Sequence, residues 1–343
     1  MARSRRAAVR LLTTVAAVGC AVILGPGIAV GVPSPSIPGG TVLPGTSCPA
    51  FPADDVWNTP VTGLPVDPRS GTWLASMGSA TTFLHPDYGP SGRPTAPYGI
   101  PWQVVPSGTA PAPVRFTYAS ESDPGPYPLS ATTPVERGSD RHALMVDATS
   151  CTLYELWRTH FHPNGRSRAG SGAIWSLASD ALRPAGWTSA DAAGLPVLPG
   201  LVQFDQVAAG SMDHAIRFTA ACSQQAYLWP ARHQAGQANT SCPPMGARFR
   251  LSATYALPAS TCAADCQTVL TTLRTYGMIL ADNGSNWFFQ GTADRRWTAT
   301  QMSQLKQVPA SAFEAVDESC LQVAPDSGQA LQPGSPAYVA ACG

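Results

Sequence analysis

Two stretches of the chain alternate apolar and polar positions with a period of two. They are Arg141-His142-Ala143-Leu144-Met145-Val146-Asp147 and Asp213-His214-Ala215-Ile216-Arg217-Phe218-Thr219. In a β-strand alternate side chains share a face. His142, Leu144 and Val146 therefore point one way and Arg141, Met145 and Asp147 the other. His214, Ile216 and Phe218 share a face opposite Asp213, Arg217 and Thr219. If the histidines face a core beside Leu144 and Ile216, the residues left for chemistry are Asp147 and Arg217.

The same reading extends along the chain. Short runs of aromatic and branched residues bounded by Gly, Pro, Asn or Ser predict strands over 102–105, 114–119, 142–148, 152–161, 173–177, 214–220, 226–231, 247–255, 278–282 and 287–291. Ala148-Thr149-Ser150-Cys151 predicts a hairpin turn between the first histidine strand and the next. Helical spacing occurs over Cys262–Tyr276, with a stop at Gly277, and over Thr298–Val308. Ser189-Ala190-Asp191 suits the N-cap of a short helical turn. The predicted class is mainly β: a β-sandwich or jelly roll with two or three peripheral helices. Residues 48–134 are too rich in Pro and Gly for strand interiors and predict loops that wrap the sheets.

Composition changes this picture mainly at the ends. Arg3, Arg5, Arg6 and Arg10 precede an apolar stretch, so residues 1–32 read as a signal peptide with cleavage near Ala29. Residues 33–47 read as a mobile Pro/Gly/Ser linker, residues 48–317 as a single β-rich domain, and residues 318–343 as a disulfide-tied tail. Beyond Cys20, eight cysteines remain, an even number that suits disulfides in an oxidising compartment. Cys262 with Cys266, Cys222 with Cys242 and Cys320 with Cys342 are plausible pairs, though spacing leaves the connectivity open. The net charge is zero and no basic run is visible, which argues against a nucleic-acid partner. No later stretch is long and apolar enough to span a membrane. The expectation is a secreted monomer without a cofactor.

Four groups of residues carry candidate chemistry. His142, His214 and His233 are placed for proton transfer, although no zinc signature is present and no metal ligand is assigned. Carboxylates are the second group. The hairpin brings Asp147 and Glu155 onto neighbouring strands, where register decides whether they share a face. Asp205, Asp213 and Asp282 are further carboxylates, and glycoside hydrolysis needs two. Third, Tyr227-Leu228-Trp229-Pro230-Ala231-Arg232-His233 offers an aromatic ring beside two hydrogen-bond donors, as recognition of a sugar requires. Fourth, Asp282-Asn283-Gly284-Ser285 ends an apolar strand in a polar turn. The candidate catalytic set is Asp147, Glu155, Asp213, His214 and Asp282. The candidate substrate contacts are His142, Arg217, Trp229, Arg232, His233, Asn283 and Trp287. Nucleophile-elbow, Walker and dinucleotide motifs are absent.

The blocks His-Ala-Leu-Met-Val-Asp, His-Ala-Ile-Arg-Phe-Thr, Pro-Pro-Met-Gly-Ala-Arg-Phe-Arg-Leu and Tyr-Gly-Met-Ile-Leu-Ala-Asp-Asn-Gly-Ser resemble a group of secreted bacterial proteins of no established activity. The resemblance covers residues 48–317. It implies one exported domain and assigns no catalytic residue. The functional expectation is a secreted glycoside hydrolase acting on extracellular polysaccharide. The alternatives are a non-catalytic glycan- or cell-wall-binding protein, and a metal-dependent hydrolase or lyase using His142, His214 and His233.

Overall fold

The structure is a computed structural model that describes residues 41–91 and 97–343. The expected signal peptide, its cleavage near Ala29 and the first part of the linker lie outside the described residues. Residues 41–47 do not behave as a linker. Val42 bridges Pro49 and Leu43 is fully buried, so the packed chain begins before the first cysteine.

Twelve strands are present among the described residues: β1 (His85–Pro86), β2 (Trp102–Val104), β3 (Arg115–Phe116), β4 (Ala143–Asp147), β5 (Thr152–Trp157), β6 (Arg168–Ala169), β7 (Ser171–Ser176), β8 (Ile216–Ala220), β9 (Arg248–Leu251), β10 (Met278–Asn283), β11 (Phe288–Phe289) and β12 (Phe313–Val316). Five helices accompany them: α1 (Ser70–Ser76), α2 (Phe204–Ala209), α3 (Ala264–Thr275), α4 (Ala299–Leu305) and α5 (Pro336–Cys342). The fold is mainly β, with more and shorter helices than the periodicity predicts. The larger sheet runs β1-β11-β8-β10-β9-β12, a second runs β2-β4-β5-β7, and β3 pairs with β6. Both larger sheets are mixed, with β8–β10, β1–β11 and β2–β4 parallel.

The two histidine-headed segments lead into different sheets. The hairpin at 148–151 forms as expected, with Leu144 opposite Glu155 and Asp147 opposite Thr152. Cross-strand partners share a face, so Glu155 lies with Leu144 and Val146, while Asp147 lies with Ala143 and Met145. The proposed Asp147–Glu155 pair is thus divided between opposite faces of the sheet. One face joins the main core with Leu153, Ala173 and Trp175. The other packs Ala143, Met145 and Leu156 against Val114, Tyr127 and Leu129 from the Pro-rich loops. These loops do wrap the sheet, and they also deliver Tyr118 and Glu121 to a cleft that Asp140 lines from the turn before β4.

Helix α3 ends before Gly277 as the pattern indicates, and Thr298 caps α4 in a capping box with Gln301. The expected strand at 226–231 does not form. Only Tyr227 bridges Met245 there, because Pro230 lacks a ladder N–H. Ser189 caps no helix; its hydroxyl instead accepts from the Asp191 N–H within an extended loop. Strand β12 was not legible as an alternating run, because Phe313, Ala315 and Val316 are all buried and only Glu314 is partly exposed. Four disulfides are formed: Cys48–Cys151, Cys222–Cys242, Cys262–Cys266 and Cys320–Cys342. No helix among the described residues is long and apolar enough to cross a membrane.

Candidate functional site: an acidic cleft over a buried arginine

The loop from Arg183 to Val202 joins the two sheets and is held rigidly. The buried Arg183 guanidinium donates to Thr188 O at 2.7 Å, Asp123 Oδ2 at 2.5 Å and Glu121 O at 2.9 Å. Ser189 Oγ donates to Leu195 O at 2.5 Å. Gly194 turns the loop at φ +68°, where an added Cβ would also overlap Trp187 O. At the loop's centre Asp191 Oδ1 accepts from Ala193 N at 3.0 Å and Leu195 N at 3.1 Å. Its Oδ2 is buried, has no hydrogen-bond partner and faces Arg217 Nη2 at 3.6 Å.

Arg217 reaches this point because it lies on the face of β8 opposite Ile216 and Phe218. Nη1 donates to Gln290 Oε1 at 2.9 Å. Nη2 stands 3.6 Å from Asp191 and 4.0 Å from Asp282. Both distances exceed hydrogen-bonding range, so the coupling is between charges. Asp282 sits where the β8–β10 register shifts, and its side chain is 27% exposed. Burial raises the Asp282 pKa, with Arg217 and His142 holding it back. Burial also lifts Asp191 to about 7 against the pull of Arg217.

His142 completes the floor from β4. Nδ1 contacts Glu136 Oε2 at 2.5 Å and Nε2 contacts Ala190 O at 3.0 Å. The Glu136 carboxylate at Nδ1 favours the charged, imidazolium form of the ring. Burial opposes that charge, but Glu136 outweighs it and the pKa is raised. The ring thereby clamps the residue next to Asp191.

Above this floor opens a cleft of about 390 Å³. Asp282, Asn283 and His233 line it with Glu121, Asp140, Tyr118 and Trp157. His233 Nδ1 donates to Ala192 O at 2.8 Å, leaving Nε2 3.7 Å from Glu121. Asn283 is fixed by Ser223 Oγ and Ala235 O, each at 2.7 Å. Trp157 and Tyr118 form an aromatic wall with ring centroids 6.2 Å apart. Gly170 permits the wall, since a Cβ there would overlap the Trp157 ring. Trp157 Nε1 reaches Asp140 at 3.5 Å, and the Asp140 charge acts on Asp282.

Of the residues singled out in the sequence, the structure brings Asp282, Asn283 and His233 to the cleft wall and His142 and Arg217 beneath it. The others stand elsewhere. Asp147 caps the hairpin turn through Thr149 N at 2.8 Å. Glu155 is fully buried and accepts from Val197 N, Leu198 N and Trp175 Nε1. Asp213 is exposed beside Ser211, and Asp205 pairs with Arg296 on the surface. His214 is buried between Ala215 O and Gln206 Oε1. Trp229 donates to Ser327 O, and Arg232 binds Arg183 O, Pro325 O and Asp326, so both pin the tail. Trp287 lies in the aromatic core against Phe218 and Phe313. The three-histidine metal reading fails on these contacts, because both ring nitrogens of His142 and of His214 are engaged. Among the described residues no cluster of His, Cys, Asp or Glu is arranged to hold a metal ion.

Sequence reasoning missed Asp191, Glu136, Glu121, Asp140 and the aromatic wall. The signal for Asp191 was an acidic residue inside the small, apolar run Ala190-Asp191-Ala192-Ala193, which reads as buried rather than as a surface turn. The fold and site together define a disulfide-bonded, mainly β protein with an acidic, aromatic-walled cleft. No family model, curated protein or solved structure matches the chain.

Proposed function

We propose that the protein is a secreted, monomeric glycoside hydrolase acting on extracellular polysaccharide, without a cofactor. The observation that carries this reading is the pairing, in one cleft, of a carboxyl group with a raised pKa and a second carboxylate beside an aromatic wall. The two larger sheets contribute to one core, which supports reading the frame as a sandwich with the cleft at its edge. Four disulfides support the extracellular assignment.

In this reading a sugar ring stacks on Trp157 and Tyr118, and His233 and Asn283 hydrogen-bond its hydroxyls. Asp282, whose pKa is raised by burial, gives its proton to the glycosidic oxygen as the bond to the anomeric carbon breaks. Asp140 takes a proton from the water that attacks that carbon. The Asp191 side chain is buried and acts through Arg217, which sets how readily Asp282 gives up its proton. His142 is likewise a positioning residue for the Ala190–Asp191 segment.

The test is a panel of polysaccharides with reducing-end and unsaturated-product readouts, applied to the protein and to Asp282→Asn and Asp140→Asn. The expected result is growth of reducing ends, lost by about a hundredfold or more in each variant with an unchanged melting temperature. Full activity in Asp282→Asn would overturn the assignment. Binding to glycans with no products of either kind would replace hydrolysis with a binding role, and unsaturated products would replace it with a lyase.

A further inference from the structure

Beside Gly170, which packs against the Trp157 ring of the acidic cleft, lies a second hollow of about 350 Å³, lined by Thr117, Arg158, His160, His162, Arg168, Ala169 and Gly170. No carboxylate is among these lining residues. Arg158 and Arg168 are exposed and neither is paired with an acid among the described residues. Arg115 is the register partner of Arg168 across the β3–β6 pair. Like charges placed opposite each other are unfavourable unless something neutralises them. Arg69, Arg250 and Arg296, by contrast, each hold a carboxylate.

The backbone carries a second, independent sign. Arg141 and Arg158 both adopt left-handed conformations, at φ +49° and +53°. They are neighbours across the end of the hairpin, where Arg158 N donates to Asp140 O and Thr159 N to Arg141 O. Such conformations are unfavourable for residues with a long side chain and concentrate at binding and catalytic sites. Here they end the β4–β5 ladder and turn Arg158 back over the indole. Its guanidinium lies 4.8 Å from the Trp157 ring centroid. A lining residue of the basic hollow thus stacks on a wall residue of the acidic cleft.

We propose that the basic hollow is a subsite for an oxyanion carried on the polysaccharide, so that the substrate is an anionic glycan whose charged unit sits against Arg158 and Arg168 while the next unit enters the acidic cleft. This rests on the glycan reading of the cleft and supplies the substrate class. The arrangement separates the roles by charge. The acids that perform the cleavage would repel an anionic unit, and the arginines of the neighbouring hollow would hold it. Planar guanidinium groups match carboxylate, sulfate and phosphate oxygens in pairs. A polysaccharide is favoured over a nucleic acid because the chain has zero net charge and the basic area is confined to one hollow.

The test is affinity electrophoresis with the full chain carrying Asp282→Asn, so that binding is read without turnover. The probes are polygalacturonate, dextran sulfate, unmodified dextran and duplex DNA. A second protein adds Arg158→Asn, which suits the left-handed backbone, and Arg168→Gln. The expected result is retention by polygalacturonate or dextran sulfate but not by dextran, weakened about tenfold by the two arginine changes and by raised salt. Which of the two anionic probes is retained more strongly identifies the oxyanion as carboxylate or sulfate. Equal retention by dextran, or retention unaffected by the arginine changes, would overturn the subsite. Retention by DNA as strong as by either glycan would reassign the hollow to polyanions at large. Cleavage of neutral glycans with no anionic preference would sink this inference and leave the hydrolase standing, while anionic binding without cleavage by the unsubstituted protein would do the reverse.

Discussion

Replacing Glu155 with alanine separates a catalytic carboxylate from a structural one. The side chain is fully buried and accepts from three donors: Val197 N at 3.0 Å, Leu198 N at 2.8 Å and Trp175 Nε1 at 3.1 Å. Glu155→Ala leaves all three buried without a partner. At about 1–3 kcal/mol for each orphaned donor, the loss is about 3–9 kcal/mol, before the small cavity is counted. Removing a buried carboxyl relieves its own desolvation, which raises the Glu155 pKa, so the lower half of that range is expected. A domain of this size loses about 2–4 °C per kcal/mol, which gives a fall in melting temperature of about 10 °C. Glu155→Gln keeps one acceptor oxygen and turns an N–H towards a donor, so its fall is smaller. Thermal unfolding followed by circular dichroism, with a urea titration at fixed m-value, reads both variants. A Glu155→Ala protein that melts within about 2 °C of the unsubstituted chain, yet has lost glycan cleavage, would refute the structural role and return Glu155 to the reaction.

Stability should fall as pH rises from about 6.5 to 8, by about 2 kcal/mol. Asp191 and Glu318 both have folded pKa values of about 7, raised by burial, so the stability they confer is present below the ordinary carboxylate range and lost through neutrality. The raised His142 pKa acts in the same direction, while the lowered His214 pKa opposes it at the acid end of the window, where the unfolded ring still binds part of a proton. Urea midpoints at the two ends of the window check this; a midpoint that rises with pH, or a slope unchanged in Asp191→Asn, would contradict it. Among the disulfides, Cys48–Cys151 spans 103 residues and Cys262–Cys266 only 4. Replacing the first pair with alanines should cost about 4–5 kcal/mol and the second about half as much, and the reverse order in urea titrations would refute the chain-entropy account.

What was legible in advance was whatever a local period encodes. Alternation in 142–147 and 214–219 marked two strands and sorted their side chains between two faces. Gly277 and Thr298 marked helix ends, because a stop needs only a residue that can take φ > 0 and a cap only one nearby hydroxyl. Asp282-Asn283 was visible as a polar strand end, and it does line the cleft. Alternation alone did not decide whether Asp147 and Glu155 share a face; the register, with Glu155 opposite Leu144 and Asp147 opposite Thr152, divides them.

Tertiary structure decided what each face meets. His142 and His214 have the same local pattern, yet one is held against the Glu136 carboxylate, which raises its pKa, and the other is buried against Gln206, where burial lowers it. Arg217 alternates away from a core face into the space beneath Asp191, a residue on a loop with no period to read. Glu121, Asp140 and Trp157 reach the same cleft from three separate segments. Periodicity reports only that side chains share a face; the partner across that face is set by loop paths and non-local packing, and the chemistry of this site depends on those partners.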